Sequence, residues 1–358
     1  MRIYIYRGGE RLVGKSGVGQ AMGHQRESLR RVGIEPADHW TADTGAVHIN
    51  TVLPDSAAAA VWARLRGKKV VWYGHSTMED FRNSFKGSNL LAPLFRRWIT
   101  FCYGLGDVVI TPSEYSRQLL KGYGLRRPVY TLSNGVDTDK FRPDPAMREA
   151  FRTRYGLRED EKAVISVGHT IARKGLPEFL ELARQMPDVR FFWFGWTDPR
   201  LIPAAIRQAM EEAPGNVTFP GFVEPERLRE AYCGADVFAF LSHEETEGIV
   251  VLEALACGIP VVVRDIPVYR DWLTDGVHVR KARDTDGFRA AVEGILSGTL
   301  PDLTAAGRAV AQARSLETVG DRLREIYRAA RILPAPTPVP VSTVAPIPAP
   351  VPAKRYRV

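Results

Sequence analysis

Apolar runs of strand length alternate with longer amphipathic stretches from one end of this chain to the other. The first run is Arg2–Tyr6, and others recur at Val47–Val52, Lys69–Tyr73, Val108–Thr111 and Val129–Leu132. After a polar interval the alternation restarts at Ala163–Val167, Arg190–Phe194, Val217–Phe219, Val237–Leu241 and Pro260–Val263. The stretches between have helical period; in Val18–Val32, residues Val18, Met22, Gln25, Leu29 and Val32 share one face. Strands alternating with helices predict an α/β class, with a parallel sheet and helical crossovers. The restart predicts two domains, 1–150 and 151–315, joined within residues 142–160. A last helical run, 316–332, closes the ordered part. Residues 333–358 are mostly Pro, Val and Ala before a basic tip, KRYRV, and predict a disordered or polyproline tail.

With 358 residues the chain is long enough for two domains of common size. Its hydrophobic share of 45% and charged share of 25% are those of a soluble globular protein. No apolar run approaches the roughly 18–20 residues of a membrane span. The opening MRIYIYRGGE reads as a strand rather than a signal peptide. Cys102, Cys233 and Cys257 lie far apart in apolar contexts and read as small buried side chains in a reducing compartment. Together these features predict a cytoplasmic protein. The net charge of +8 suits nucleic acid, an anionic membrane or a phosphorylated small molecule. No zinc-finger spacing or aromatic RNA-binding strand is present, so no nucleic-acid partner is expected.

The densest chemistry lies in Phe238–Pro260, FAFLSHEETEGIVVLEALACGIP. A strand-like run meets a polar turn with Glu244, Glu245 and Glu247, then Gly248, then a helix apolar nearly all round. Such a helix is buried, yet Glu253 sits in its middle, where a carboxylate needs a partner. Glu245 stands eight positions earlier, at the helix N-terminus, where backbone N–H groups and the helix dipole favour an anion. One acid inside the core, another at the mouth and a phosphate-ready helix end outline a nucleotide-sugar site. The bland alternative is a surface acid cluster and one satisfied buried Glu.

The pattern Glu245-x7-Glu253, with Gly248 inside it and ALACGIPVV after it, resembles the donor-site signature of family-4 retaining glycosyltransferases. That resemblance implies the GT-B fold, in which two Rossmann-like domains face each other across a cleft and the last helix crosses back to the first domain. It implies a metal-independent hexosyltransferase without a cofactor, using a UDP-sugar such as UDP-glucose or UDP-galactose as co-substrate. Glu253 would take the ribose diol, Glu245 the sugar hydroxyls, and the N–H groups of Gly248, Ile249 and Val250 a phosphate. Arg173 and Lys174, in VISVGHTIARKGLPEF, would face the departing diphosphate. The family usually has an arginine directly after Gly168, where this chain has His169. Phe222 and Val223, in FPGFVEPERL, resemble the loop that holds the base.

In the first domain, His75 follows the strand Val70–Tyr73, and the carboxyl ends of such strands face the ligand crevice. It would contact sugar or acceptor; the alternative is a hydrogen-bonded loop histidine. Gly17-Val18-Gly19 reads as the glycine-rich turn facing the cleft, and Gly17 and Gly19 are donor-site candidates; the alternative is a plain glycine turn capping the next helix. The same loop formally matches a nucleotide-triphosphatase P-loop, Gly9-x4-Gly14-Lys15-Ser16. Glycines where its helix should begin count against it. Asp137-x-Asp139 could hold magnesium or manganese, but SNGVDTDKF resembles the interdomain loop, so no metal is expected.

Phe85–Tyr103 bears on the acceptor: Leu90, Leu91, Leu94, Phe95, Trp98, Ile99 and Cys102 share a face, with Arg96 and Arg97 off it. This is either a core-facing helix or one that docks on an anionic bilayer. With EDFRNSF before it and DVVITPSEYS after it, the segment resembles bacterial glycosyltransferases acting on glucosyl-diacylglycerols. The expected partners are therefore a UDP-sugar, a glycolipid or diacylglycerol acceptor, and the inner face of the cell membrane. A soluble or polysaccharide acceptor, a sugar-nucleotide epimerase, a triphosphatase and a catalytically dead membrane scaffold are the alternatives.

Overall fold

The computed structural model describes residues 2–9, 14, 16–85 and 87–334. Lys15 of the P-loop match and the tail from 335 onward lie outside the described residues. The chain runs β1 (Arg2–Ile5), α1 (Gly17–Arg31), β2 (Pro36–Ala37), β3 (Thr44–Ile49), α2 (Pro54–Leu65), β4 (Lys69–Tyr73), α3 (Met78–Phe81), α4 (Ser88–Gly104), β5 (Val108–Thr111), α5 (Glu114–Gly122) and β6 (Val129–Thr131). The second half holds α6 (Pro145–Arg154), β7 (Lys162–Val167), a single-turn helix (Ala172–Lys174), α7 (Leu176–Gln185), β8 (Val189–Phe194), α8 (Ala204–Glu211), β9 (Val217–Gly221) and α9 (Pro225–Gly234). It ends with β10 (Val237–Phe240), α10 (Ile249–Cys257), β11 (Val261–Arg264), β12 (Arg280–Ala282), α11 (Thr285–Leu296), α12 (Thr304–Gln312) and α13 (Leu316–Ala329).

These strands form two six-stranded sheets, ordered β2-β1-β3-β4-β5-β6 and β12-β11-β10-β7-β8-β9, with every neighbouring pair parallel. The central strands are apolar without alternation because helices cover both faces; every residue of β5, β10 and β11 is buried. Two strands had no legible pattern. β2 and β12 span two and three residues, too few to show a period.

Three features differ from the sequence expectation. First, α6 packs on the second domain, where Phe151 is buried against Gly234 and Phe192. Residues 145–150 therefore belong by packing to the second domain, and the chain crosses between domains at Ser133–Asp137. Second, Gly17 and Gly19 do not form a turn: α1 begins at Gly17 behind the N-cap Ser16. Nothing packs where the Gly17 Cβ would stand, so the fold does not require glycine there. Third, Cys233 is only half-buried, with its thiol donating to the Arg142 carbonyl at 3.4 Å, whereas Cys102 and Cys257 are buried as expected; all three are free thiols.

The chain makes its second crossing beside the first. Val136 N–H donates to the Arg314 carbonyl at 3.0 Å, and Leu316 N–H to the Val136 carbonyl at 3.2 Å. Beyond it, α13 returns to the first domain, burying Val319, Leu323, Ile326 and Tyr327 in the same core as Met22 and Leu29 of α1. The two helices approach so closely that a Cβ on Gly320 would stand 2.3 Å from the Ser28 carbonyl oxygen.

Candidate active site

Facing loops at the carboxyl ends of both sheets carry the polar side chains. After β10 the chain turns through Ser242–Glu247 and enters α10 behind Gly248, whose φ of +90° is left-handed. A Cβ there would meet the Tyr269 hydroxyl at 2.9 Å, so the position demands glycine on both counts. No side chain caps α10 and its first turn carries no acid, leaving its leading N–H groups without side-chain acceptors. Beside it, Gly175 (φ +80°) ends the turn that presents Arg173 and Lys174, and a Cβ would stand 2.3 Å from the Leu241 carbonyl.

The charges here are buried and paired. Lys174 Nζ binds the Glu245 carboxylate. Burial opposes ionisation of Glu245, but Lys174 and Arg173 outweigh it and hold its pKa below the usual carboxylate value. Arg173 reaches across the cleft: Nη1 lies 2.7 Å from Asp80 Oδ1 and Nε donates to Ser84 Oγ at 2.9 Å. Its Nη1 also donates to the Glu244 carbonyl at 2.8 Å. Burial raises the Glu244 carboxyl to about 7, against the Tyr115 hydrogen bond and with Asp80, Glu79 and Glu245 adding to it.

Glu253 is fully buried. Tyr232 Oη donates to its Oε2 at 3.0 Å, and Gln20 Nε2, from the first turn of α1 in the other domain, donates to its Oε1. Burial nonetheless pushes its pKa up to about 7, with both donors opposing. A carboxylate has about four acceptor positions, so this one keeps capacity for a diol.

On the first domain, His75 follows β4, stacked on Tyr73 with ring centroids 5.3 Å apart. Asn50 Oδ1 accepts from Gln25 Nε2 at 2.7 Å and from His75 Nε2 at 3.0 Å. The amide oxygen only accepts, so His75 carries its proton on Nε2 and keeps a lone pair on Nδ1. Burial lowers its pKa to about 4, so it is neutral.

A two-domain cleft with a cation pair, an uncapped helix end and a buried acid narrows the chemistry but leaves the family open. Two family models decide it. Glycosyltransferase Family 4 matches residues 38–140, and Glycosyl transferases group 1 matches 147–310. A processive diacylglycerol alpha-glucosyltransferase of Acholeplasma laidlawii is 37% identical over 330 residues, covering 92% of this chain and 98% of that protein. The chain belongs to the family-4 glycosyltransferases. An alpha-galactosylglucosyldiacylglycerol synthase of Streptococcus pneumoniae is 28% identical over 59% of this glycosyltransferase and 58% of its own length. The structure of Anabaena HepE with UDP and glucose superposes with a TM-score of 0.75 at 15% identity, over 92% of this chain and all of that one. WaaG, a glycosyltransferase involved in lipopolysaccharide biosynthesis, gives 0.64 at 16% identity, over 90% of this chain and 99% of its own. Both neighbours establish the fold as GT-B.

Within this glycosyltransferase, Arg173, Lys174, Glu245, Gly248, Ile249, Val250 and Glu253 fall in one neighbourhood of the second domain, with Gly17 and Gly19 at the end of α1 opposite Glu253. Phe222 and Val223 follow β9, at the sheet's far edge, with Phe222 exposed. His169 stands aside, with Nδ1 donating to the Trp196 carbonyl at 2.9 Å. Asp137 and Asp139 are both held by Arg31, at 3.1 and 3.0 Å. Among the described residues no group of His, Cys, Asp or Glu is arranged to hold a metal ion. A cavity of about 630 Å³ at the other end of α10, beside Gly258, His278 and Arg280, is separate from these charges. Sequence reasoning missed Gln20, Tyr232, Asp80, Ser84 and Asn50. Each acts through a partner at least 21 positions away, and no local spacing announces such a pair.

Proposed function

We propose that this glycosyltransferase moves a hexose, glucose or galactose, from a UDP-sugar to a membrane glycolipid such as monoglucosyl-diacylglycerol, with retention of anomeric configuration. The observation that carries this reading is the likeness to the diacylglycerol alpha-glucosyltransferase, which spans both domains and so includes the one that would receive the acceptor. The exposed face of α4 supports it. Leu90 is 86% exposed and Leu94 65%, with Leu91 and Phe101 also open and Arg96 and Arg97 alongside. An apolar strip flanked by arginines suits an anionic bilayer surface. Among the described residues no helix is long and apolar enough to cross a membrane, so the contact proposed is peripheral, on the cytoplasmic face.

In this reading the diphosphate lies against the first turn of α10, and Arg173 and Lys174 take up the charge that develops as the bond to the anomeric carbon breaks. Glu253 accepts the ribose hydroxyls and Glu245 those of the sugar. The α1 terminus at Gly17 and Gly19 closes over the phosphates, while Phe222 and Val223 border the base. His75, neutral, offers its Nδ1 lone pair to a sugar or acceptor hydroxyl. The acceptor oxygen bonds to the anomeric carbon on the face the diphosphate leaves, and its proton passes to the leaving phosphate oxygen. Neither cofactor nor metal takes part.

Transfer from radiolabelled UDP-glucose or UDP-galactose tests this, in EDTA with mixed micelles of diacylglycerol or glucosyl-diacylglycerol. Labelled lipid made with one acceptor is the expected result. Label that reaches only a soluble acceptor would overturn the lipid assignment, and epimerised donor without transfer would overturn the reaction.

A further inference from the structure

Glu247 is a buried carboxylate, 2% exposed, to which the proposed donor chemistry gives no task. It lies between Glu245 and the first turn of α10. Its Oε2 accepts from the Asn134 backbone N–H at 3.0 Å and from Asn134 Nδ2 at 2.8 Å. The Arg314 guanidinium supplies the opposing charge from the second crossing. Ser133 and Asn134 belong to the first crossing between the domains. Sequestering a carboxylate at such a point is unfavourable unless partners compensate, and here both hydrogen bonds to it come from Asn134 of the linker.

The adjacent bonds extend this contact into a circuit. The Gly135 carbonyl accepts from His24 Nδ1 at 2.9 Å. His24 lies one turn along α1 from Gln20, on the same face, and Gln20 reaches Glu253. Glu253 belongs to α10, whose N-cap Gly248 follows Glu247 directly. Linker, α1 and α10 are thus joined in a closed ring of side-chain bonds that spans the cleft twice.

We propose that Glu247 is a positioning residue: it ties the interdomain linker to the first turn of α10, so that anion binding at Gly248–Val250 and the closure of α1 onto Glu253 occur together. This rests on the donor-site reading above. It also explains why an acid stands one position before Gly248, where an uncapped helix end would otherwise have no fixed relation to the other domain.

A reciprocal exchange in the full-length protein tests it, with UDP as the probe in calorimetry. Glu247→Gln sets an amide N–H against the Asn134 donors, and Asn134→Asp sets two carboxylates together. Each single variant is expected to weaken UDP binding about tenfold or more, the scale of a hydrogen bond to a charged group. The double variant restores one donor and one acceptor across the same gap and should return to within about threefold of the parent. Donor KM should follow UDP affinity while acceptor KM stays constant. Melting temperatures taken alongside separate unfolding from loss of positioning. Single variants that bind UDP like the parent, or a double variant as weak as the worse single one, overturn the role of Glu247 and leave the donor site standing. A parent protein that binds no UDP overturns both.

Discussion

Two apolar helices of this glycosyltransferase meet opposite fates. The second-domain helix α10 buries Ile249, Val251, Leu252, Ala254, Leu255 and Ala256 on all sides and encloses Glu253 among them. The first-domain helix α4 buries Ala92, Ile99 and Cys102 but leaves Leu90, Leu91, Leu94 and Phe101 in solvent. Both are rich in leucine, and composition alone would send both inside. What separates them is neighbours: α10 is packed on all sides, whereas α4 is packed on one face, through Ser88, Ala92, Ile99, Cys102 and Tyr103, and open on the other. A hydrophobic residue that pays nothing into the core is available for another surface. The enzyme thus combines a polar site buried in an apolar setting with an apolar strip exposed beside arginines.

The strongest way to break this contrast is at the paired charges. Lys174→Ala should lower kcat by about 100- to 1,000-fold, the scale of one lost electrostatic contact to developing charge. Acceptor KM should stay within about twofold, since steady-state kinetics read a transition-state contact in kcat. An unchanged kcat removes Lys174 from the reaction. Next in size is Leu90→Asp/Leu94→Asp. Losing two apolar side chains from a bilayer contact should weaken sedimentation with anionic vesicles by about 100-fold or more. Its melting temperature should stay near that of the parent because both positions are exposed. Leu252→Ala in α10 should behave inversely, losing about 2–5 kcal/mol of stability by denaturant titration without altering vesicle binding per folded molecule.

A subtler effect attaches to Glu253. Its carboxyl is raised to about 7, so it is protonated below that pH and becomes a full acceptor above it. Inhibition by uridine, which has the ribose diol and no phosphate, should therefore tighten several-fold between about pH 6 and pH 8. Glu253→Gln should abolish that dependence. The stability change has the opposite sign. The folded carboxyl holds its proton more tightly than the unfolded one, so its contribution to stability falls as pH rises from 4.5 to about 7. Smallest of all is the effect of removing metal: with Asp137 and Asp139 engaged by Arg31, EDTA should change the transfer rate by less than about 1.5-fold. A rate restored only by magnesium or manganese would reverse that assignment.

Much of this was legible from spacing. Glu245, Gly248 and Glu253 lie within nine consecutive residues, so one strand–loop–helix unit carries them and local pattern reveals it. The long strands were legible for the same reason, since four or five buried residues outlast chance. Gly17 was misplaced into a turn because a helix terminus and a loop share a preference for glycine. The boundary near residue 150 was drawn where the strand–helix alternation restarts, whereas Phe151 anchors its helix to Gly234, a contact 83 positions distant.

By itself the amino-acid sequence determined the α/β class, the two parallel sheets, the placing of Glu245, Glu247 and Glu253 on one strand–loop–helix unit and the resemblance to family 4. Those follow from periodicity and from residues neighbouring one another along the chain. Only the tertiary structure decided that Gln20 and Tyr232 share Glu253, that Arg173 answers Asp80 across the cleft, and that Glu247 holds the linker. It alone decided which leucines of α4 face solvent. The physical reason is the same throughout: the energy of a buried charge or an exposed apolar side chain is set by what packs against it, and those partners come from distant segments.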